Sequence, residues 1–179
     1  AGKILLDCGS TTNVALHKNK VSFNDIKAIV LTHFHGDHFG GIPFFLIDSQ
    51  WNSKRDDKLV IAGPRGVEDK VRDLMDITYP SIDLEDMSYP IDFIEYAAGE
   101  SFELFDLTIS PFPMLHSAPS LPHGLRITDE QKTIAFTGDT GWTEEIIPLS
   151  ENADLLITEC AALASSSPRH LNFETLKNN

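Results

Sequence analysis

Short apolar stretches punctuate this chain, each bounded by polar or turn-forming residues, and they read as strands: Ile4–Cys8, Ala28–Thr32, Leu59–Ala62, Phe93–Tyr96, Phe102–Phe105, Leu107–Pro111, Gly124–Ile127, Thr133–Thr137 and Leu155–Thr158. Between them, Val67, Val71, Leu74 and Met75 recur at helical spacing and predict a helix with one core-facing stripe. Thr143 to Ile147 reads as a short helix opened by Thr143, with Glu144 and Glu145 in its first turn. Asn172 is placed to cap a last helix. Asp129-Glu130-Gln131 reads as a hairpin tip. No repeat, low-complexity tract or linker interrupts this order. Taken alone, periodicity gives a mixed α and β protein and no finer class.

Length and charge narrow the picture. The chain has 179 residues, which fit one domain over 1–179 with a substantial core. The apolar run Ile42-Pro43-Phe44-Phe45-Leu46-Ile47 falls far short of the roughly 20 residues a membrane helix needs. No signal peptide is visible, so a cytoplasmic protein without a membrane partner is expected. Cys8 and Cys160 each fall on an expected buried strand and read as free core thiols. The net charge is −13, and Lys18, Lys20, Lys27 and Lys54-Arg55 are scattered rather than striped. That balance makes nucleic acid an unlikely partner, because its recognition rests on Lys and Arg contacts to phosphate. Trp51, Trp142 and Phe44-Phe45 could form a homodimer face or fill a core, and core is the reading adopted.

One decapeptide points to chemistry. Thr32-His33-Phe34-His35-Gly36-Asp37-His38-Phe39-Gly40-Gly41 follows the apolar Ala28-Ile29-Val30-Leu31. His33 and His35 are two apart, so on extended chain they point to one side and can share one ion. Neutral imidazole suits zinc, iron and related cations. Asp37 and His38 come after Gly36, where the chain can bend, and aim at a different spot suited to a second ion. Gly40 and Gly41 let backbone pack close to the site.

The run resembles the HxHxDH signature of the metallo-β-lactamase-fold superfamily. The resemblance continues in order through Pro113-Met114-Leu115-His116, Thr137-Gly138-Asp139-Thr140, Asp154-Leu155-Leu156-Ile157-Thr158-Glu159-Cys160 and Arg169-His170-Leu171. It implies an α+β fold, a four-layer αββα sandwich, with this chain truncated at both ends. Ala1 to Gly9 would be the second strand of a hairpin, and a last histidine ligand would follow Asn179. The resemblance further implies two divalent metal ions, zinc first, with manganese or iron as alternatives. His33, His35 and His116 would hold the first ion. Asp37 and His38 would hold the second, and Asp139 would bridge both. A bridging hydroxide would be the nucleophile. Asp37 and His170 count as catalytic residues. His170 would donate a proton to the leaving group or clamp substrate phosphate. Asp7, Thr32 and Glu159 are candidates to orient the ligands from behind. His123 would line the pocket mouth or the surface, and His17 is read as solvated.

Within the superfamily, aspartate at 139 disfavours true β-lactamases and His35 disfavours the iron-based oxygen-reducing branch. The order of motifs resembles the phosphodiesterase branch, which includes the transfer-RNA 3′-processing endonucleases. The tRNA-binding arm that some of these carry between the corresponding histidine and aspartate has no room between His116 and Asp139. A small, anionic phosphodiester is therefore the expected substrate. A glyoxalase II-like thioester hydrolase, a tRNA 3′-processing endonuclease and a non-catalytic metal-bearing scaffold are the alternatives. No GxSxG elbow supports serine chemistry.

Overall fold

The structure, a computed structural model, describes residues 2–164 and 167–179, so Ala1, the first residue of the expected hairpin segment, lies outside it. It divides into two compact units, Ala1–Glu95 and Tyr96–Asn179.

The first unit runs β1 (Lys3–Leu6), α1 (Thr12–Lys18), β2 (Ile26–Val30), α2 (Gly36–Phe39), α3 (Ile42–Trp51), β3 (Leu59–Pro64), α4 (Val67–Thr78) and β4 (Ile91–Tyr96), with sheet order β1-β2-β3-β4. β1 pairs parallel with β2, Leu6 opposite Val30, and β2 pairs parallel with β3. Ala28, Ile29, Val30 and Leu31 are completely buried, as are Leu59, Ile61 and Ala62. Strands apolar on both faces belong in parallel sheets covered by helices. α4 supplies one cover with Val67, Val71 and Met75, and α3 another with Ile42, Phe45 and Leu46. Arg55 is 1% exposed, yet its guanidinium donates to the carbonyl oxygens of Phe23 (2.5 Å) and Ile26 (2.7 Å) and lies over the Tyr89 ring. A buried charge is tolerable on such terms.

The second unit runs β5 (Phe102–Leu104), β6 (Leu107–Pro113), β7 (His123–Thr128), β8 (Thr133–Phe136), α5 (Ile146–Ser150), β9 (Leu155–Ile157) and α6 (Phe173–Asn178). β5 to β8 form an antiparallel meander, and β9 joins parallel to β8. Met114, Ala135, Ile146, Leu149 and Leu171 make one core cluster in it, with Trp142 packed against them. The Asp129 turn closes the β7–β8 hairpin: its carboxylate accepts the N–H groups of Gln131 and Lys132. Asn172 caps α6 by accepting from the Thr175 N–H at 3.0 Å.

Every expected strand is present, and the differences have local causes. β1 stops at Leu6 because Asp7 turns left-handed, with φ 60°. The helix expected at Thr143 begins at Ile146. Pro148 then falls in the first turn, where a missing N–H costs nothing; a start at Thr143 would put it in the interior. Phe44 and Trp51 are 48% and 53% exposed, contrary to the core reading. They sit seven residues apart on the face of α3 opposite Phe45 and Leu46. Cys160 lies beyond β9 and is exposed, whereas Cys8 is fully buried and burial pushes its thiol up to about 12. His17 is exposed as expected, and it also bonds Asp48 at 3.1 Å and tilts against the Phe23 ring. Among the described residues no helix is long and apolar enough to cross a membrane.

Candidate metal centre

In each unit the candidate side chains gather where a pair of parallel strands ends. This is the edge at which α/β sheets present their ligand sites. In the first unit β1 delivers Asp7 and β2 delivers Thr32 and His33. The Asp7 N–H bonds the Val30 carbonyl, and the Thr32 N–H bonds the Asp7 carboxylate at 2.7 Å. The chain stays extended through His35 and then enters α2. The His33 ring lies 4.8 Å from that of His35 and 4.1 Å from that of His38. The His33 ring thus stands against both of the others, with His35 on one contact and His38 on another. Asp37 is open to solvent, with its carboxylate 3.7 Å from His38 Nε2. Gly36 needs no special torsion, but Gly41 packs hard against the Cys8–Gly9 backbone.

The hydrogen bonds fix which ring nitrogens hold protons. A carboxylate only accepts, so His38 Nδ1 donates to Asp7 at 2.8 Å. The Thr32 hydroxyl spends its one proton on Asp7, at 2.9 Å to Oδ2. The same oxygen must then accept from His33 Nδ1, at 3.0 Å. In the neutral rings of His33 and His38, Nε2 keeps its lone pair.

The second unit repeats this logic. β8 and β9 end side by side, with the Thr137 N–H on the Ile157 carbonyl at 3.0 Å. Gly138 takes φ 58°, a left-handed turn that glycine makes without strain, and Asp139 follows it. His116 Nδ1 donates to the Arg169 carbonyl at 3.0 Å, and its Nε2 lies 3.9 Å from Asp139 Oδ2. His170 Nδ1 donates to Glu159 at 3.0 Å and stands 4.0 Å from Asp139. One ligand atom each from His116, Asp139 and His170 lie within 4.8 Å of one another. Glu159 is no water-facing strand end: its side chain is 14% exposed and also accepts the Thr140 N–H at 2.7 Å. His123 opens β7, half-buried with its ring edge-on to Tyr96. Burial holds its pKa below the usual histidine value, against the weaker pull of its bond to the Leu121 carbonyl.

Two partners escaped the sequence reading. The Arg169 main-chain carbonyl holds His116, and any residue type could supply it. Thr140 joins the two loops, its hydroxyl accepting the Leu115 N–H at 3.0 Å. It stands in the Thr-Gly-Asp-Thr segment, where a hydroxyl next to a ligand was a readable hint.

The donor set fits divalent cations of the zinc, manganese and iron kind. Imidazoles anchored through Nδ1 present Nε2, and carboxylates stand beside them.

Known proteins share the fold. The metallo-β-lactamase fold protein YhfI from Bacillus subtilis is 26% identical, with a TM-score of 0.75 over 96% of this chain and 65% of that one. Human tRNase Z, short form, shares the fold at 22% identity, with a TM-score of 0.77 over 98% of this chain and 75% of that one. Ribonuclease Z of Ignicoccus hospitalis is 34% identical over 133 residues, which cover 73% of this chain and 42% of the relative. The chain thus spans under half the length of that relative. It carries the metallo-β-lactamase fold expected of it. Residues 1–178 match the family described as anti-Pycsar protein Apyc1, and the chain belongs to that family.

Proposed function

We propose that the protein is a metal-dependent hydrolase acting on a small phosphodiester. In this reading His33, His35, Asp37, His38, His116 and Asp139 hold two divalent ions, most simply zinc. The observation that carries it is the anchoring of His33, His38 and His116 through Nδ1, the arrangement that orients histidine ligands elsewhere. When bound, such a pair of ions lowers the pKa of a shared water to near neutral and offsets charge that develops on the phosphate.

The chain's own residues do the rest. Asp7 fixes His38 directly and His33 through Thr32, so one carboxylate sets two ligands. Glu159 holds His170 by Nδ1, which leaves Nε2 to give a proton to the departing oxygen. The Glu159 carboxylate also steadies the imidazolium that makes this transfer possible, and it tethers the Asp139 loop through Thr140.

A small substrate is favoured by the segment between His116 and Asp139. It is a turn, a tight hairpin and a loop, with no protruding arm. A tRNA 3′-processing activity is the second reading, because relatives bear the names ribonuclease Z and tRNase Z. Those names lend no support to setting nucleic acid aside on charge alone. The test is a panel of bis(p-nitrophenyl) phosphate, 3′,5′-cyclic nucleotides, a precursor tRNA and S-lactoylglutathione. Turnover of the small diesters that disappears in Asp37→Ala is expected. Activity confined to the thioester would reject the proposal, and activity confined to the precursor tRNA would replace it with the second reading.

Asp7→Asn isolates the supporting carboxylate. Asparagine tolerates the left-handed backbone that Asp7 adopts, so the change removes charge without adding strain. Zinc affinity, measured by competition with a chromophoric chelator, should fall about 10- to 100-fold. Unchanged affinity would show that Asp7 does not support the ligands.

A further inference from the structure

Gly141 is not glycine for the sake of its torsion angles. The left-handed glycines among the described residues are Gly66, Gly99 and Gly138, so the Gly141 backbone is open to any residue. What excludes a side chain is space. A Cβ on Gly141 would lie 2.0 Å from the Pro168 carbonyl oxygen, 2.9 Å from its carbon and 3.3 Å from the Arg169 Cα. All three are main-chain atoms, so no side-chain rotation relieves the clash. Gly141 is also pinned from the other direction. Its N–H donates to the Leu115 carbonyl at 2.7 Å, and Leu115 in turn donates to the Thr140 hydroxyl at 3.0 Å. Two neighbours of His116 in the fold therefore meet at Gly141: the strip that carries His116 and the segment that supplies its acceptor.

We infer that Gly141 is a positioning residue for His116. The missing side chain admits the Pro168–Arg169 main chain, and that close approach sets the Arg169 carbonyl 3.0 Å from His116 Nδ1. The carbonyl only accepts, so it holds His116 with its proton on Nδ1 and its lone pair on Nε2. Without that acceptor the ring can protonate at either nitrogen. His170 is the next residue along, so a displaced segment also shifts His170 from Glu159. The consequence for metal affinity rests on the reading of His116 as a ligand; the tautomer does not.

The test is a long-range ¹H–¹⁵N correlation spectrum of the metal-free protein labelled at histidine, paired with zinc affinity by chelator competition. The parent chain should show His116 protonated at Nδ1. Gly141→Ala should shift His116 toward the Nε2–H form and weaken zinc about 10- to 100-fold. Nε2–H in the parent would overturn the inference, and so would a parent-like tautomer in Gly141→Ala. Loss of zinc affinity in Asp139→Ala but not in Gly141→Ala, with the tautomer shifted, would confine the failure to the ligand reading. If Gly141→Ala does not fold, Pro168→Gly carries the test. It loosens the same segment without adding atoms and should give a smaller shift of the same sign; an unchanged His116 spectrum there would overturn the inference.

Discussion

Asp139→Ala is expected to lower turnover of bis(p-nitrophenyl) phosphate on the order of 10³-fold or more and to strip the protein of bound metal, since a two-metal site depends on its shared ligands. The side chain stands 3.9 Å from His116 Nε2 and 4.0 Å from His170 Nδ1, and 20% of it is exposed. The turn itself is held by other groups. Gly138 makes the left-handed step, and Thr140 anchors the loop to Glu159 through its own N–H. The alanine variant should therefore melt within a few degrees of the parent in the metal-free state. Metal content by elemental analysis, with circular dichroism as the control, separates the alternatives. Full metal content and full turnover would make Asp139 a turn former and nothing more.

His170→Ala should leave metal content intact and slow the reaction by an amount that depends on the leaving group. A positioned general acid contributes about 10²- to 10⁴-fold when the departing oxygen needs a proton. An alkoxide leaving group, such as the ribose oxygen of a cyclic nucleotide, should show that full loss. p-Nitrophenolate departs without a proton, so the aryl diester should lose far less. Steady-state rates on both substrates decide the matter. Equal losses on the two would assign His170 to binding or structure instead, since its 3.0 Å bond to Glu159 also suits a clamp.

Much of this was legible in the sequence because it depends on side-chain type and order. The run from Ala28 to Leu31 announces a strand buried on both faces, and the histidines follow where that strand ends. The later motifs at His116, Asp139, Glu159 and His170 lie in the second unit, each with a side-chain atom within 4.0 Å of another of them. What escaped was decided by backbone and by packing. The left-handed turn at Asp7 ends β1 early and also aims the carboxylate at Thr32 and His38. Pro148 moved a helix start by forcing itself into a first turn. Phe44 and Trp51 looked like core because apolar content says nothing about which face of α3 is covered. The Arg169 carbonyl could not have been found at all, since every residue carries one.

The central claim is that the proposed histidine and aspartate side chains are the ligands of a two-cation centre. The most direct measurement is an anomalous-difference map at the zinc edge from metal-loaded crystals. Two peaks separated by roughly 3.5–4 Å are predicted, with His33, His35 and His116 on the first, Asp37 and His38 on the second, and Asp139 touching both. A single peak, or peaks that leave His116 and Asp139 untouched, would contradict the account.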